Sequence, residues 1–130
     1  NQTYALYNEA DAALVSSGTA TLETALFNVP QVVCYQTSWL SYKIAKLLVD
    51  VKYISLVNLI ADQEVVKELI QKDLTVNNMV SELSSILSEE GSAIMKQSYK
   101  NLTVLLGGVG ASERISSAIV SDLKSIVKTL

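Results

Sequence analysis

The feature that most limits what this chain can fold into lies at residues 10–35, which read ADAALVSSGTATLETALFNVPQVVCY. The spacing predicts four elements in order: a short apolar strand over 12–15, a turn of small residues over 16–18, a helix over 19–27 and a second strand over 31–35. Pro30 disfavours helical geometry in the residue before it, so Asn28, Val29 and Pro30 should end the helix. A strand, a crossover helix and a second strand favour a parallel sheet.

The turn and the start of the helix have the features of an anion-binding site. Gly18 has no Cβ, so its backbone can turn sharply and approach a ligand closely. Thr19 and Thr21 place hydroxyls on the first helical turn, where backbone N–H groups are unpaired and the helix dipole is positive. Glu23, one turn further along, cannot favour a phosphate but can accept hydrogen bonds from sugar hydroxyls. The structural alternative is a Ser-Gly-Thr junction that only turns the chain and caps the helix.

Three separated motifs give the chain a family resemblance. The run SSGTATLETALFNVPQVVCY, followed by YISLVNLIAD and then EVVKELIQ, resembles the C-terminal part of lipid-A-disaccharide synthases, and the resemblance covers nearly the whole chain. It implies an inverting glycosyltransferase of the two-domain, twin-Rossmann (GT-B) architecture. Such an enzyme transfers a diacylglucosamine from its UDP derivative to diacylglucosamine 1-phosphate, forming the lipid A disaccharide and releasing UDP. The chain departs from the family's usual Leu-Pro-Asn at Leu56, Val57 and Asn58, and from its usual Gly at Asp62.

The resemblance also implies which residues bind the UDP donor. These are Ser17, Gly18, Thr19 and Thr21 for the diphosphate, Glu23 for the ribose hydroxyls, and Asn58, expected on a loop, as an amide contact. Residues that can line the uracil or sugar pocket are Tyr35, Gln36, Trp39 and Tyr42. The structural alternatives are a turn residue for Asn58 and core packing for the aromatic side chains. No residue is placed to be the general base, so the 130-residue chain by itself is expected to be inactive.

Composition excludes several classes of protein and of site. An apolar content of 49% and a charged content of 18% exclude a disordered chain, and a net charge of −3 argues against polynucleotide binding. The chain has no histidine, which excludes a Ser-His-Asp triad and a His-ligated metal, and we predict neither a metal nor a cofactor. One cysteine excludes a disulfide framework and fits a reducing compartment.

The remaining patterns predict mostly helices. We expect helices over 4–9, 39–49 and 63–71, a strand over 52–56, a loop over 57–61, two helices whose apolar positions span 76–87 and 95–106, and a last helix capped by Ser112. The predicted fold is therefore α/β: a partial Rossmann-like parallel sheet of about three strands flanked by helices, the second half of a GT-B C-terminal domain. We expect residues 1–130 to form a single-domain fragment, the nucleotide-sugar-binding half. Residues 111–130 either cross to another domain or subunit or pack on their own domain.

Location and assembly follow from the same patterns. Residues 24–42 carry no charge, but Asn28, Pro30, Gln31 and Gln36 interrupt the run, so a spanning helix is not expected. The resemblance implies a cytoplasmic protein peripheral to the inner membrane of a Gram-negative bacterium, and the unpaired sheet edge favours a homo-oligomer. Two alternatives stay open: another UDP-sugar enzyme of the same architecture, such as an epimerase or a transferase, and a non-catalytic binding or assembly module.

Overall fold

The computed structural model describes residues 2–16, 18–38, 52–108 and 110–127. In chain order its elements are α1 (Gln2–Glu9), β1 (Ala13–Val15), α2 (Thr19–Leu26), β2 (Gln31–Tyr35), α3 (Leu56–Ala61), β3 (Lys67–Ile70), a 3-10 turn (Gln71–Asp73), α4 (Val76–Leu87), α5 (Glu89–Leu105) and α6 (Ala111–Val127).

The strands form a parallel three-stranded sheet in the order β1-β2-β3. Val15 lies opposite Val33, and Val33 lies opposite Glu68, so the three strands are aligned along one level of the sheet. The predicted α/β fold with a parallel sheet of three strands is confirmed. Because all three strands run the same way, their carboxyl ends open at one edge, where ligands of parallel sheets usually bind.

The core is built around the central strand. Val32 and Val33 of β2 are completely buried, as expected for a strand with a neighbour on each side. Helices α2, α3 and α5 pack against one another, while α4 packs against β2, β3 and α5. The buried cluster that results contains Ala25, Val32, Val33, Val57, Val66, Leu69, Ile86, Met95, Tyr99 and Leu102.

Helix α2 ends through a left-handed residue. Asn28 has φ 61°, and its N–H donates to the carbonyl of Ala25 at 2.9 Å, while the N–H of Val29 donates to the carbonyl of Thr24 at 3.1 Å. These bonds satisfy carbonyls that the helix end leaves unpaired, as a left-handed C-terminal cap does. The helix therefore stops at Leu26, ahead of Pro30, and β2 begins directly after the proline.

The predictions for residues 52–71 were wrong. In place of a strand over 52–56 the structure has one isolated bridge, at Ser55, and the predicted loop over 57–61 belongs to α3. The third strand lies instead at Lys67–Ile70, inside the predicted helix over 63–71. The apolar spacing there fits either element, and pairing with the exposed edge of β2 decides for a strand.

Asp62, one of the departures from the usual family sequence, ends α3. It has φ 49° and ψ 31°, the left-handed conformation that glycine adopts without a steric penalty. Val57, the other departure, lies in the first turn of α3, where a proline is tolerated. Both replacements are therefore compatible with the local backbone.

The C-terminal helices agree with the prediction except at one cap. Helices α4 and α5 cover the predicted segments, with the buried Met95, Tyr99 and Leu102 on α5. Helix α6 already begins at Ala111, so Ser112 is not its N-cap. One side of α6 carries exposed apolar side chains, namely Ile115, Ile119, Val120 and Leu123. The helix predicted over 39–49 lies outside the described residues.

Candidate functional site

Gly18 lies just beyond the carboxyl end of β1 and immediately before α2. Its backbone has φ 104° and ψ −158°, a conformation essentially restricted to glycine. A Cβ placed on it would meet no atom of the described residues within 4 Å. The Gly18 backbone therefore faces open space on the side where a side chain would project, and a ligand can approach it closely there.

Two buried threonines donate hydrogen bonds to backbone carbonyls in and after this turn. The Thr21 hydroxyl donates to the carbonyl of Gly18 at 2.8 Å, and its backbone N–H donates to the same carbonyl at 3.2 Å. Thr21 is completely buried, so its hydroxyl holds the glycine carbonyl and does not lie on the surface. Thr24, one turn on, is also buried and donates to the carbonyl of Ala20 at 2.8 Å.

The opposite side of α2 is open. Thr19 and Glu23 are both exposed, and their four-residue spacing places them on one face of the helix, one turn apart. Gly18, Thr19 and Glu23 thus form a continuous exposed strip at the amino end of α2. Further along, Phe27 stacks with Tyr4 and Tyr7 of α1, at centroid distances of 5.2 and 5.1 Å.

A second segment, the start of α3, lies beside this strip. Ser55 pairs with Gly18 through an isolated parallel bridge. Ser55 is also the N-cap of α3, because its hydroxyl accepts from the backbone N–H of Asn58 at 3.3 Å. The bridge brings the segment of Asn58 next to the glycine turn, although 40 residues separate Gly18 from Asn58 in sequence.

Asn58 itself is completely buried, and both ends of its amide are engaged. Its nitrogen donates to the carbonyl of Val66 at 2.8 Å and to the Glu68 carboxylate at 2.9 Å. Its oxygen accepts from the backbone N–H groups of Val65 at 2.8 Å and Val66 at 2.9 Å. Two donors and two acceptor sites are all that an amide offers. A contact from Asn58 to a ligand therefore requires one of these four bonds to be given up.

The other predicted pocket residues are only partly described. Gln36 is exposed and Tyr35 is half-buried, both at the carboxyl end of β2. The side chain of Gln71, after β3, donates to the carbonyl of Thr37 at 3.1 Å and ties these two strand ends together. Ser17, Trp39 and Tyr42 lie outside the described residues.

The polar groups of this strip are the backbone at Gly18, the hydroxyl of the exposed Thr19 and the carboxylate of the exposed Glu23. The described residues contain no cluster of three His, Cys, Asp or Glu side chains that could hold a metal ion. Burial raises the pKa of the Cys34 thiol, which keeps it protonated and a poor nucleophile at neutral pH.

A family model described as lipid-A-disaccharide synthetase matches residues 1–120. The chain belongs to this family. The resemblance inferred from the three motifs is thereby confirmed, and with it a place among the glycosyltransferases of lipid A biosynthesis.

Individual relatives agree with the family model. A lipid-A-disaccharide synthase of Psychromonas ingrahamii is 53% identical over 89 residues, which cover 68% of this chain and 23% of that protein. Those of Syntrophus aciditrophicus and Anaeromyxobacter dehalogenans are 39% and 36% identical, covering 94% and 88% of this chain but 32% and 30% of those proteins. The chain therefore spans about a quarter to a third of the length of these relatives.

None of the described helices is both long enough and apolar enough to cross a membrane. Of residues 24–42, the structure describes 24–38, which form the end of α2, a turn, β2 and the residues after it.

Sequence reasoning missed one side chain of this region, Glu68. The sequence predicts a helix here and singles out no role for Glu68, whereas Glu68 lies in β3 and accepts from Asn58 and Ser55. The available signal was the charged pair Lys67 and Glu68 between the apolar residues of 65–70, since Glu and Lys are depleted in strands.

Proposed function

We propose that this chain supplies the UDP-donor side of a lipid-A-disaccharide synthase. The complete enzyme would transfer diacylglucosamine from its UDP derivative to diacylglucosamine 1-phosphate and release UDP. Family membership supports this over an epimerase or another UDP-sugar transferase of the same architecture, since the relatives carry the lipid-A-disaccharide synthase name over most of this chain.

The observation that carries the proposal is the exposed strip formed by Gly18, Thr19 and Glu23. A glycine with an open approach, a helix N-terminus and a threonine hydroxyl suit a diphosphate. The exposed Glu23 carboxylate, one turn along the same face, suits the ribose hydroxyls. Ser17, which precedes Gly18 in the sequence, stays a predicted contact. Thr21 would act through its hydrogen bond to the Gly18 carbonyl.

In the reaction, this site would stabilise the leaving group. Charge develops on the diphosphate as the bond to the anomeric carbon breaks, and preorganised backbone dipoles stabilise such charge effectively. A general base must deprotonate the acceptor hydroxyl, and we assign none of the residues of this chain to that role. We therefore expect the 130-residue chain alone to bind UDP without transferring a sugar.

The test is calorimetric titration of UDP into the wild type and Glu23→Ala. Removing a charged acceptor from a bound ribose should cost about 1.5–3 kcal/mol, which is roughly a tenfold to hundredfold fall in affinity. The melting temperature should change little, because an exposed carboxylate in the second turn of a helix contributes at most a few tenths of a kcal/mol through the dipole. ADP titrated into the wild type reports whether the site prefers uridine.

Glu90→Ala is the matched control, because Glu90 is an exposed helix carboxylate on α5 that lies outside the strip. It should bind UDP like the wild type. Equal affinities of Glu23→Ala and the wild type would remove Glu23 from the site. A wild type that binds no uridine nucleotide would favour the non-catalytic module instead.

Assembly and location complete the proposal. The exposed apolar side of α6 supports an association of residues 111–130 with another domain or subunit, and hence a homo-oligomer. An acceptor lipid and a diacylated donor would bring the complete enzyme to the cytoplasmic face of the inner membrane.

A further inference from the structure

The carboxylate of Glu68 collects hydrogen bonds from one short segment. It accepts from the backbone N–H groups of Ile54 at 3.0 Å and Ser55 at 2.9 Å, from the Ser55 hydroxyl at 2.7 Å, and from the Asn58 amide at 2.9 Å. The two Ser55 donors and the Asn58 amide converge on one carboxylate oxygen, Oε1, and the Ile54 N–H donates to Oε2. Hydrogen bonds to a carboxylate are stronger than those between neutral groups. Glu68 therefore organises the whole turn that leads into α3.

This turn carries the residue that pairs with Gly18. Ser55 is completely buried and bonded to Glu68 through both its N–H and its hydroxyl, while its backbone forms the parallel bridge to Gly18. The contacts thus run from β3 through Ser55 to the glycine turn after β1. Gly18 holds a backbone conformation that glycine adopts without strain, but glycine can adopt many others as readily, so the contacts of its neighbours decide which one it keeps.

We propose that Glu68 is a positioning residue for the diphosphate-binding turn. It does not touch the donor; it fixes Ser55 and Asn58, and through Ser55 it holds the Gly18 backbone in the conformation that receives a phosphate. This inference rests on the proposed function, because it assigns Glu68 a role in the same donor site.

The proposal predicts a loss confined to the phosphate part of the ligand. If the turn is correctly arranged in only one molecule in ten, affinity falls about tenfold, since apparent affinity scales with the competent fraction. Uridine lacks phosphate and should lose little. General destabilisation would not change the ratio of UDP to uridine affinity in the folded protein, so this ratio separates positioning from a merely structural role.

The experiment is an NMR titration of the 130-residue chain with UDP and with uridine, using Glu68→Ala and the milder Glu68→Gln. Glu68→Ala should weaken UDP binding about tenfold, and Glu68→Gln less, because its remaining oxygen can still accept from Ser55. The Gly18 amide resonance should shift in both variants. Glu64→Ala is the control: Glu64 is a nearby, 52% exposed carboxylate whose partner is the exposed Lys67 at 2.9 Å, and its loss should change neither affinity nor the Gly18 resonance.

The outcomes separate the two proposals. If the wild type binds UDP and the folded Glu68 variants bind it equally well, the positioning role is wrong and the proposed donor site stands. Wild type that binds no UDP overturns the donor site, and the Gly18 resonance then decides whether Glu68 controls the turn. If Glu68→Ala does not fold, Glu68→Gln carries the test. Ser55→Ala supports it, because it removes the 2.7 Å bond to the carboxylate together with the 3.3 Å N-cap bond from the Asn58 N–H.

Discussion

Replacing Gly18 by alanine isolates the cost of the turn's backbone conformation. The added methyl group would meet no described atom within 4 Å, so steric overlap contributes nothing. The penalty comes from holding an L-residue at φ 104° and ψ −158°, which costs about 1–3 kcal/mol. Alanine also restricts the unfolded chain, which offsets this by about 0.4–1 kcal/mol. We therefore expect Gly18→Ala to lower the free energy of unfolding by about 1–2 kcal/mol in the absence of any ligand.

Urea denaturation followed by circular dichroism measures this difference. With a slope of about 1.5 kcal/mol per molar urea, the midpoint should fall by about 1 M. Gly108→Ala is the comparison. Gly108 also has open space at the position of a Cβ, but its φ of 63° lies in the left-handed region. Alanine enters that region at a cost of about 1–2 kcal/mol, and the restriction of the unfolded chain offsets part of this cost as it does for Gly18→Ala. Unchanged stability of Gly18→Ala would refute the strain argument. A measured loss of unfolding free energy would also mean that a glycine variant changes stability and ligand affinity together. Glu23→Ala is then the better probe of the site.

Two further predictions concern stability. Burial raises the pKa of the Tyr99 phenol, outweighing the hydrogen bond from Gln31, so the native state keeps a proton that the unfolded state releases. The contribution of Tyr99 to stability should be constant below about pH 10 and fall as the pH rises above it. The slope of stability against pH in that range should flatten in Tyr99→Phe, and an identical slope in both proteins would contradict the assignment. Asp62→Gly should raise the free energy of unfolding by up to about 1 kcal/mol, because it relieves a left-handed residue at the end of α3; a lower urea midpoint would contradict this.

Local signals were sufficient where one element had no competitor. The strand Gln31–Tyr35 follows a proline and contains a continuous apolar run, and the structure has the predicted bounds. Helix Val76–Leu87 repeats apolar residues every three or four positions and is capped by Thr75, whose hydroxyl accepts from the Asn78 N–H at 3.2 Å. In both segments the periodicity and the flanking residues favour the same structure.

The segment from 52 to 71 could not be predicted this way, because its structure depends on distant partners. The apolar residues at 65, 66, 69 and 70 have helical spacing. Residues 67–70 nevertheless form a strand, because they pair with the edge of β2. The arrangement of the candidate site could not be predicted from the sequence for the same reason. Sequence identified Gly18, Thr19 and Glu23 through local turn chemistry, but the burial of Thr21 and the engagement of Asn58 by Val66 and Glu68 emerge only when the elements pack.

The buried contact between β2 and α5 has a consequence for the order of folding. Gln31 donates to Met95 and Tyr99, which lie 64 and 68 residues away, whereas Asn58 and Glu68 are ten residues apart. Closing the longer loop costs about 1.7 kcal/mol more in chain entropy. We therefore expect the turn around α3 to form before α5 docks. Contacts made after the rate-limiting step slow unfolding without speeding folding, so the Gln31 contacts would set how long the native state persists.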